Sequence, residues 1–258
     1  MYDFSSAGNA IQGIAQVRPD VFVVNVLTCD IAGTLACTPG SVTTWIVDFC
    51  HRGRRGPSSS GKEAALRRIA AFPDAGFLNG IAALDAETVL MADSYLGGVW
   101  MLDLSAGDRE LLFTDPSMNG TVKIPNGING LRVRPGWLHF TNSAKGSFNR
   151  IPVDPKTGQK TGEAEVLLDG LAAPDDLEVD DKVEVAYGCN GALDQVLRVP
   201  LDGSTVEVAA ELPGPTSVSW AEYDGQKVLY ASTIGGFLQY VEHNVTVGGA
   251  IYRLEAYH

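Results

Sequence analysis

Between residues 126 and 143 the chain reads NGINGLRVRPGWLHFTNS. Leu131 and Val133, then Leu138 and Phe140, place apolar side chains at every second position on either side of Pro135-Gly136. Alternation of period two gives a strand one buried face, and Pro-Gly is turn chemistry, so this stretch is predicted to be an antiparallel hairpin. Asn129, Thr141 and Asn142 fall at its outer ends.

The same pattern returns in altered copies. Gln12 opens one that leads to an apolar run over 21–25, and Asn79 opens one that leads to 88–93. Asp175 leads to 183–189 and Thr216 to 228–233. With Asn129 these starts are separated by 67, 50, 46 and 41 residues. Repeats of ~40–50 residues that hold several strands each belong to propellers, so the fold predicted is an all-β propeller of four-stranded blades. Outer strands are predicted at 98–103 and 110–113, 147–153 and 164–168, and 195–199 and 205–210. In the first unit, strands are predicted at 12–17, 20–26 and 42–49, while 63–72 fits a strand or a short helix. The last unit shows three strands, at 218–220, 228–231 and 250–254, and Tyr2-Asp3-Phe4 is the segment predicted to complete it. About five blades are visible in a single domain spanning 1–258. Residues 51–62, HRGRRGPSSSGK, interrupt the first blade and read as a mobile, basic insertion.

Composition narrows the partners. The 258 residues carry 19 Lys and Arg against 31 Asp and Glu, for a net charge of −12. That counts against nucleic acid or an anionic membrane as the main partner and suits a small molecule or a cation. No apolar run approaches the ~18 residues that a spanning helix needs. The opening MYDFSS has no signal-peptide pattern, while the two glycosylation sequons at Asn119 and Asn244 fit secretion, so secreted and cytosolic origins stay equally open. Cys29 and Cys37 flank a Gly-containing loop that a short disulfide could close, but four cysteines allow three full pairings.

Common catalytic signatures are missing: the sequence has no G-x-S-x-G, HExxH or CxxC. Gly56-Pro-Ser-Ser-Ser-Gly61-Lys62 mimics a phosphate-binding loop, but Glu63 stands where Ser or Thr would hold magnesium, so it reads as a solvated loop.

The order LNGIA, TVLMADSYLGGVWMLDL, GINGLRVRPGWLHFTNSAKGSFNRIPVDP, APDDLEVD and GPTSVSW resembles the fungal branch of the gluconolactonase, senescence-marker-protein and luciferin-regenerating-enzyme propellers. The resemblance covers nearly the whole chain and is most specific over 77–155. It implies a six-bladed family with a divalent cation in the central tunnel. A region resembling the family's first blade is missing before Tyr2, which leaves open a five-bladed variant, a shortened chain or a ring completed by a partner. The resemblance matches Asn129, in Asn129-Gly130-Leu131, and Asp175, in Pro174-Asp175-Asp176-Leu177, to cation ligands, and Asn79 to an asparagine on the substrate side. The family's Glu ligand, on the missing blade, has no counterpart. Calcium wants 6–8 oxygens and usually more than one carboxylate, so this set would bind a cation weakly unless Asp176 or solvent helped.

Three functions follow. One is cation-dependent hydrolysis of a lactone, with calcium or another divalent ion as Lewis acid. A second comes from fungal members that act as hetero-Diels–Alderases, joining a quinone methide to an alkene. That reaction needs an apolar tunnel and donors on a polarised carbonyl, and it requires no cofactor. A third is a non-catalytic ligand-binding propeller. The second is preferred, with Asn129, Asn79 and Asp175 as catalytic residues and Gln12, Tyr95, Asn142 and Thr216 facing the substrate. Against these readings stands a plain one, in which polar side chains at strand starts only satisfy backbone groups. His139, inside an apolar strand, reads as a hydrogen-bonded packing residue, and Trp100, Phe148 and Trp220 read as core or rim.

Overall fold

The computed structural model describes residues 3–30, 36–50, 64–180, 182–236, 245 and 247–254. Among these, nineteen strands form five antiparallel sheets, each a meander in chain order. Blade 1 holds β1 (Ala10–Arg18), β2 (Val21–Leu27), β3 (Val42–Asp48) and β4 (Ala65–Phe72). Blade 2 holds β5 (Leu78–Ala83), β6 (Thr88–Asp93), β7 (Gly98–Asp103) and β8 (Arg109–Thr114). Blade 3 holds β9 (Ile128–Arg134), β10 (Trp137–Asn142), β11 (Ser147–Pro152) and β12 (Glu165–Leu168). Blade 4 holds β13 (Pro174–Asp180), β14 (Val185–Asn190), β15 (Gln195–Pro200) and β16 (Glu207–Glu211). Blade 5 holds β17 (Pro215–Tyr223), β18 (Gln226–Thr233) and β19 (Ile251–Leu254). The chain is therefore an all-β propeller, and the ambiguous segment before Phe72 is a strand.

The core lies in the seams between blades, because each middle strand is buried on both faces. In β6, Val89 and Met91 pack toward blade 1 while Leu90 and Ala92 pack toward blade 3, and all four are fully enclosed. A strand covered on both sides reads as a continuous apolar run, which is why 89–92 lacks alternation. Leu131, Leu138 and Phe140 fill the seam of blades 2 and 3, Phe148, Leu177 and Leu197 that of blades 3 and 4, and Tyr187, Val218 and Leu229 that of blades 4 and 5. On β1, Ala15 and Val17 join the core while Ile11 and Ile14 stay more than half exposed, at 54% and 61%.

Two expectations meet the structure here. Asp3 and Phe4 are not in a strand, and the Phe4 ring packs edge-on against Trp45 of β3, so it supports blade 1 instead of completing blade 5. Aromatic burial against a nearby tryptophan outweighs a distant strand pairing. Tyr2, the insertion 51–62 and the loop that mimics a phosphate site lie outside the described residues.

Each inner strand begins at the face where the second strand of its blade ends, and the loops after β2 and β8 lie at that face, whereas the 153–164 loop lies at the opposite one. One of them, after β2, is clipped by a Cys29–Cys37 disulfide, while Cys50 is exposed and Cys189 buried as free thiols. β3 ends and β4 begins at the opposite face, where Asp48 pairs with both Val21 and Ala65.

Candidate functional site

All five inner strands share a local irregularity at their start. The pairing register slips between Gln12 and Ile14, between Leu78 and Ile81, opposite Phe140–Asn142 for β9, between Pro174 and Leu177, and between Pro215 and Ser217. A bulge bends the strand and re-aims a side chain, and here it acts on Gln12, Asn79, Asn129, Asp175 and Thr216. Each of the five is only partly buried.

Glycines then bring these positions side by side. A Cβ on Gly13 would lie 2.2 Å from the carbonyl oxygen of Asn79, and one on Gly80 would lie 2.7 Å from that of Asn129. A Cβ on Gly130 would sit 2.5 Å from the Cα of Asp176. No side chain fits at such contacts, so each glycine lets its bulge nest on the next. At the last seam the packing changes from glycine to hydrogen bond, and Ser217 Oγ donates to Asp176 Oδ2 at 2.9 Å. The five predicted positions thus form a continuous row across the inner strands.

Asp175 is the electrostatic centre of the row. Burial raises its pKa from 3.8 to about 7, the Asp176 charge adds to the rise, and a hydrogen bond from the Asn129 side chain opposes it. Around pH 7 this carboxyl is about half protonated and can serve as donor or acceptor. Hydroxyls hold the backbone beneath it. Thr141 Oγ1 donates to the Asp175 carbonyl, and Ser143 Oγ donates to that of Pro174 at 2.7 Å. Asn129 Nδ2 donates to the same Ser143 hydroxyl at 2.9 Å.

Arg132 is the residue that sequence reasoning missed. From β9 its Nη1 donates to the Leu131 carbonyl at 2.8 Å and to Asp176 Oδ1 at 3.0 Å. Its Nη2 donates to Asp176 Oδ2 at 2.8 Å and to the Val218 carbonyl of blade 5 at 3.3 Å, while Nε faces Glu178 Oε2 at 3.5 Å. Burial works against the Arg132 charge, but the Asp176 and Glu178 carboxylates outweigh it and raise the pKa. Arg134 Nη2 reaches the other Glu178 oxygen at 2.6 Å. The signal was legible in principle: two arginines at period two in one repeat, and two acids at period two in the next.

These partners decide how the donors suit a divalent cation. Asp176 and Glu178, the carboxylates nearest Asp175, are committed to guanidinium groups. Among the described residues no three His, Cys, Asp or Glu side chains converge as metal ligands. Asn129 and Asp175 alone are far short of the oxygens that calcium needs, so the residues present do not fit such an ion.

A second row of polar side chains lies one strand out. Asp93, Asn142, Asn190 and Thr233 end the second strands of blades 2 to 5, Asn25 stands two residues before the end of β2, and all are buried. Asn142, expected to face the substrate, is fully enclosed. Its Nδ2 donates to the carbonyls of Ser117 and Asn119 at 2.8 and 3.0 Å, and its Oδ1 accepts from Lys145 N at 2.9 Å. Its polarity is spent on loop backbone. Asp93 accepts from the backbone N–H groups of Gly76, Phe77, Tyr95 and Leu96 and from Trp100 Nε1, at 2.8–3.2 Å. Tyr95 stands half-buried above it, packs on Phe77 and accepts a hydrogen bond from Cys37 N at 3.2 Å, tying the loops of blades 1 and 2. His139 is a packing residue, as expected, beside Phe148. Its ring nitrogens have no hydrogen-bond partner, contrary to expectation, and burial lowers its pKa to about 4, which keeps the ring neutral.

No family model matches the chain, and no curated protein matches it. Among solved structures it is similar to a luciferin-regenerating enzyme, with a TM-score of 0.64 and 13% identity over 96% of this chain and 78% of that one. It is also similar to a chain of a nidogen/laminin complex, with a TM-score of 0.60 and 17% identity over 86% of this chain and 72% of that one. At such identities the likeness establishes the fold. One neighbour is an enzyme and the other belongs to a protein–protein complex, so function has to be argued from the site.

Proposed function

We propose that this chain is a small-molecule enzyme whose tunnel activates a polarised carbonyl by hydrogen bonding, and that its reaction is a hetero-Diels–Alder cycloaddition. One arrangement carries the reading: Asp175, partly buried, stands in a row with the amide side chains of Gln12, Asn79 and Asn129, where burial raises its pKa toward neutrality. A protonated carboxyl in a desolvated wall is a strong donor to a carbonyl oxygen, and it withdraws electron density from a quinone methide as cycloaddition proceeds. Asn79 and Gln12 stand in the same row and supply further donors. The remaining contribution is orientation of the two partners, which requires no nucleophile. Residues 77–155 resemble a fungal propeller branch of which some members act in secondary metabolism, and that resemblance favours the same choice.

A second reading has an observation of its own. The ionised half of Asp175 can act as a general base, taking a proton from a water molecule as that water attacks a lactone carbonyl. The two readings use opposite protonation states, so a pH profile separates them. With a quinone methide generated in place and a 1,1-disubstituted alkene, turnover is expected on the acid side and should fall as pH rises through about 7. Asp175→Asn keeps a donor, so it should lose about 10-fold in rate and flatten that limb. A rate that climbs through the same pH, with aldonolactones as substrates, would establish hydrolysis instead. No acceleration of cycloaddition at any pH would sink the proposal.

A further inference from the structure

Residues 115–127 join β8 to β9, and they are built as a braced finger. At its base Asp115 accepts from Ser117 N and Oγ at 2.9 and 2.6 Å, and Lys160 Nζ pairs with it at 2.6 Å. Asn142 holds the Ser117 and Asn119 carbonyls, Lys145 Nζ donates to that of Pro116, and Met118 is fully enclosed in the seam of blades 2 and 3. The two arms then press together through glycine. A Cβ on Gly127 would stand 2.1 Å from the Met118 carbonyl oxygen, and one on Gly120 would stand 2.2 Å from that of Pro125. A turn closes the tip, where Thr121 N donates to the Ile124 carbonyl at 2.7 Å and Ile124 N donates to Thr121 Oγ1 at 3.1 Å. Turns ordinarily present polar side chains. This one presents Val122, wholly exposed, and Ile124, 45% exposed, with Lys123 between them.

A lone exposed valine is ordinary, but this one has company on its face. Leu96 is exposed in the neighbouring turn, whose Gly97 packs against Asn119 of the finger. Leu193 and Ile234, just after β14 and β18, are more than half exposed at the same face. The opposite face differs. Among the described residues Val183 is its one exposed loop aliphatic, and its turns carry the exposed carboxylates of Asp20, Asp85, Glu87, Asp108, Asp202 and Asp224. Between Pro116 and Val153 the sequence has no acidic residue at all. The loops of the finger's face hold Asp30, Asp74 and Asp169 as exposed acids, with Lys123 and Lys145 against them. Apolar tips stand at one face, therefore, and most of the negative charge at the other.

We propose that the 115–127 finger seats this propeller on a zwitterionic lipid surface, with Val122 and Ile124 entering the acyl boundary and Leu96, Leu193 and Ile234 as further contacts. Separate apolar tips on several loops suit a plane that yields to each of them, whereas a protein partner buries one continuous patch of about 800 Å². A face of little net charge suits headgroups that are neutral overall, and the acids of the opposite face stay in water. Lys123 can lay its stem along the boundary and keep its ammonium among the phosphates. The inference does not use the proposed reading of Asp175. It adds a route to it, since the inner strands that carry Asn79, Asn129 and Asp175 begin at this face, toward any substrate dissolved in the lipid.

Flotation of the full chain with phosphatidylcholine vesicles tests it. Wild type is expected in the vesicle fraction. Val122→Asp should lower the partition coefficient about 10-fold or more, the worth of burying one valine, with the melting temperature unchanged. Val183→Asp, at the opposite face, should alter neither. Val122→Trp reports position: its added fluorescence should move to the blue on vesicles and be quenched by brominated phosphatidylcholine. Equal flotation of Val122→Asp and wild type would overturn the proposal, as would quenching in Val122→Trp no greater than in wild type. Phosphatidylserine in the vesicles should bring no gain, and a strong gain would overturn the assignment to a neutral surface. Wild type that ignores vesicles but self-associates in sedimentation velocity, with Val122→Asp monomeric, would make the finger a protein contact and overturn the lipid reading.

Discussion

Two rows of polar side chains run one strand apart through this propeller, and they have opposite fates. The inner row, Gln12, Asn79, Asn129, Asp175 and Thr216, is partly exposed at bulged strand starts. The outer row, Asn25, Asp93, Asn142, Asn190 and Thr233, is buried. Asp93 shows what the outer row is for, since one carboxylate gathers four backbone N–H groups and an indole. Asp175 shows the contrast: its carboxyl has few partners, and its pKa has moved up accordingly. A buried acid surrounded by donors is structural, whereas one short of partners is available for chemistry.

The sharpest test removes the best-satisfied member of the outer row. Asp93→Ala orphans its donors and should cost about 3–4 kcal/mol in urea unfolding, with any turnover per folded molecule retained. A loss under about 1 kcal/mol would collapse the distinction between the rows. In the inner row, Asn129→Ala removes the amide that orients Asp175; it should lower turnover by about 10-fold and move the pH limb upward, while shifting the melting temperature little. The reverse pattern, an unstable but active chain, would move Asn129 to the outer class. Asn142→Ala should cost about 1–2 kcal/mol of stability and leave turnover within about twofold, as orphaned loop carbonyls predict. Strong loss of turnover there would return Asn142 to the substrate side.

The remaining expected effect is a gain. As pH rises past 3.8 an unfolded Asp175 gives up its proton, while the folded chain retains it up to about 7. Folding therefore loses stability across that interval, and the whole penalty is present above it. Asp175→Asn removes the titration and should stabilise the chain at pH 8, but not at pH 4. Paired denaturation curves at the two pH values decide this, and an equal shift at both would separate Asp175 from the titration.

Much of the fold was legible in the sequence because repetition averages out local ambiguity. Five polar-then-apolar starts placed β1, β5, β9, β13 and β17, and the apolar runs that follow placed their partners. The inner row was legible for the same reason. What a single strand pattern cannot carry is what lies across a seam. Arg132 and Arg134 alternate with Leu131 and Val133 just as solvent-facing residues would, and only the neighbouring blade shows that they meet Asp176 and Glu178. Asn142 misled for a related reason: a polar residue at a strand end looks the same whether it faces a tunnel or a loop backbone. Phe4 had a nearby aromatic partner in Trp45, which strand propensity does not register.

Arg132 has a consequence for the order in which the ring assembles. Its side chain leaves blade 3, grips Asp176 of blade 4 and ends on the Val218 carbonyl of blade 5. That last bond cannot form until residues 86 positions apart in the chain have come together. A bond that waits on that meeting contributes little to the folding transition state. Contacts of that sort act on the unfolding rate and leave the folding rate nearly alone. Arg132 is thus a kinetic latch, closing after the blades have docked and slowing their release.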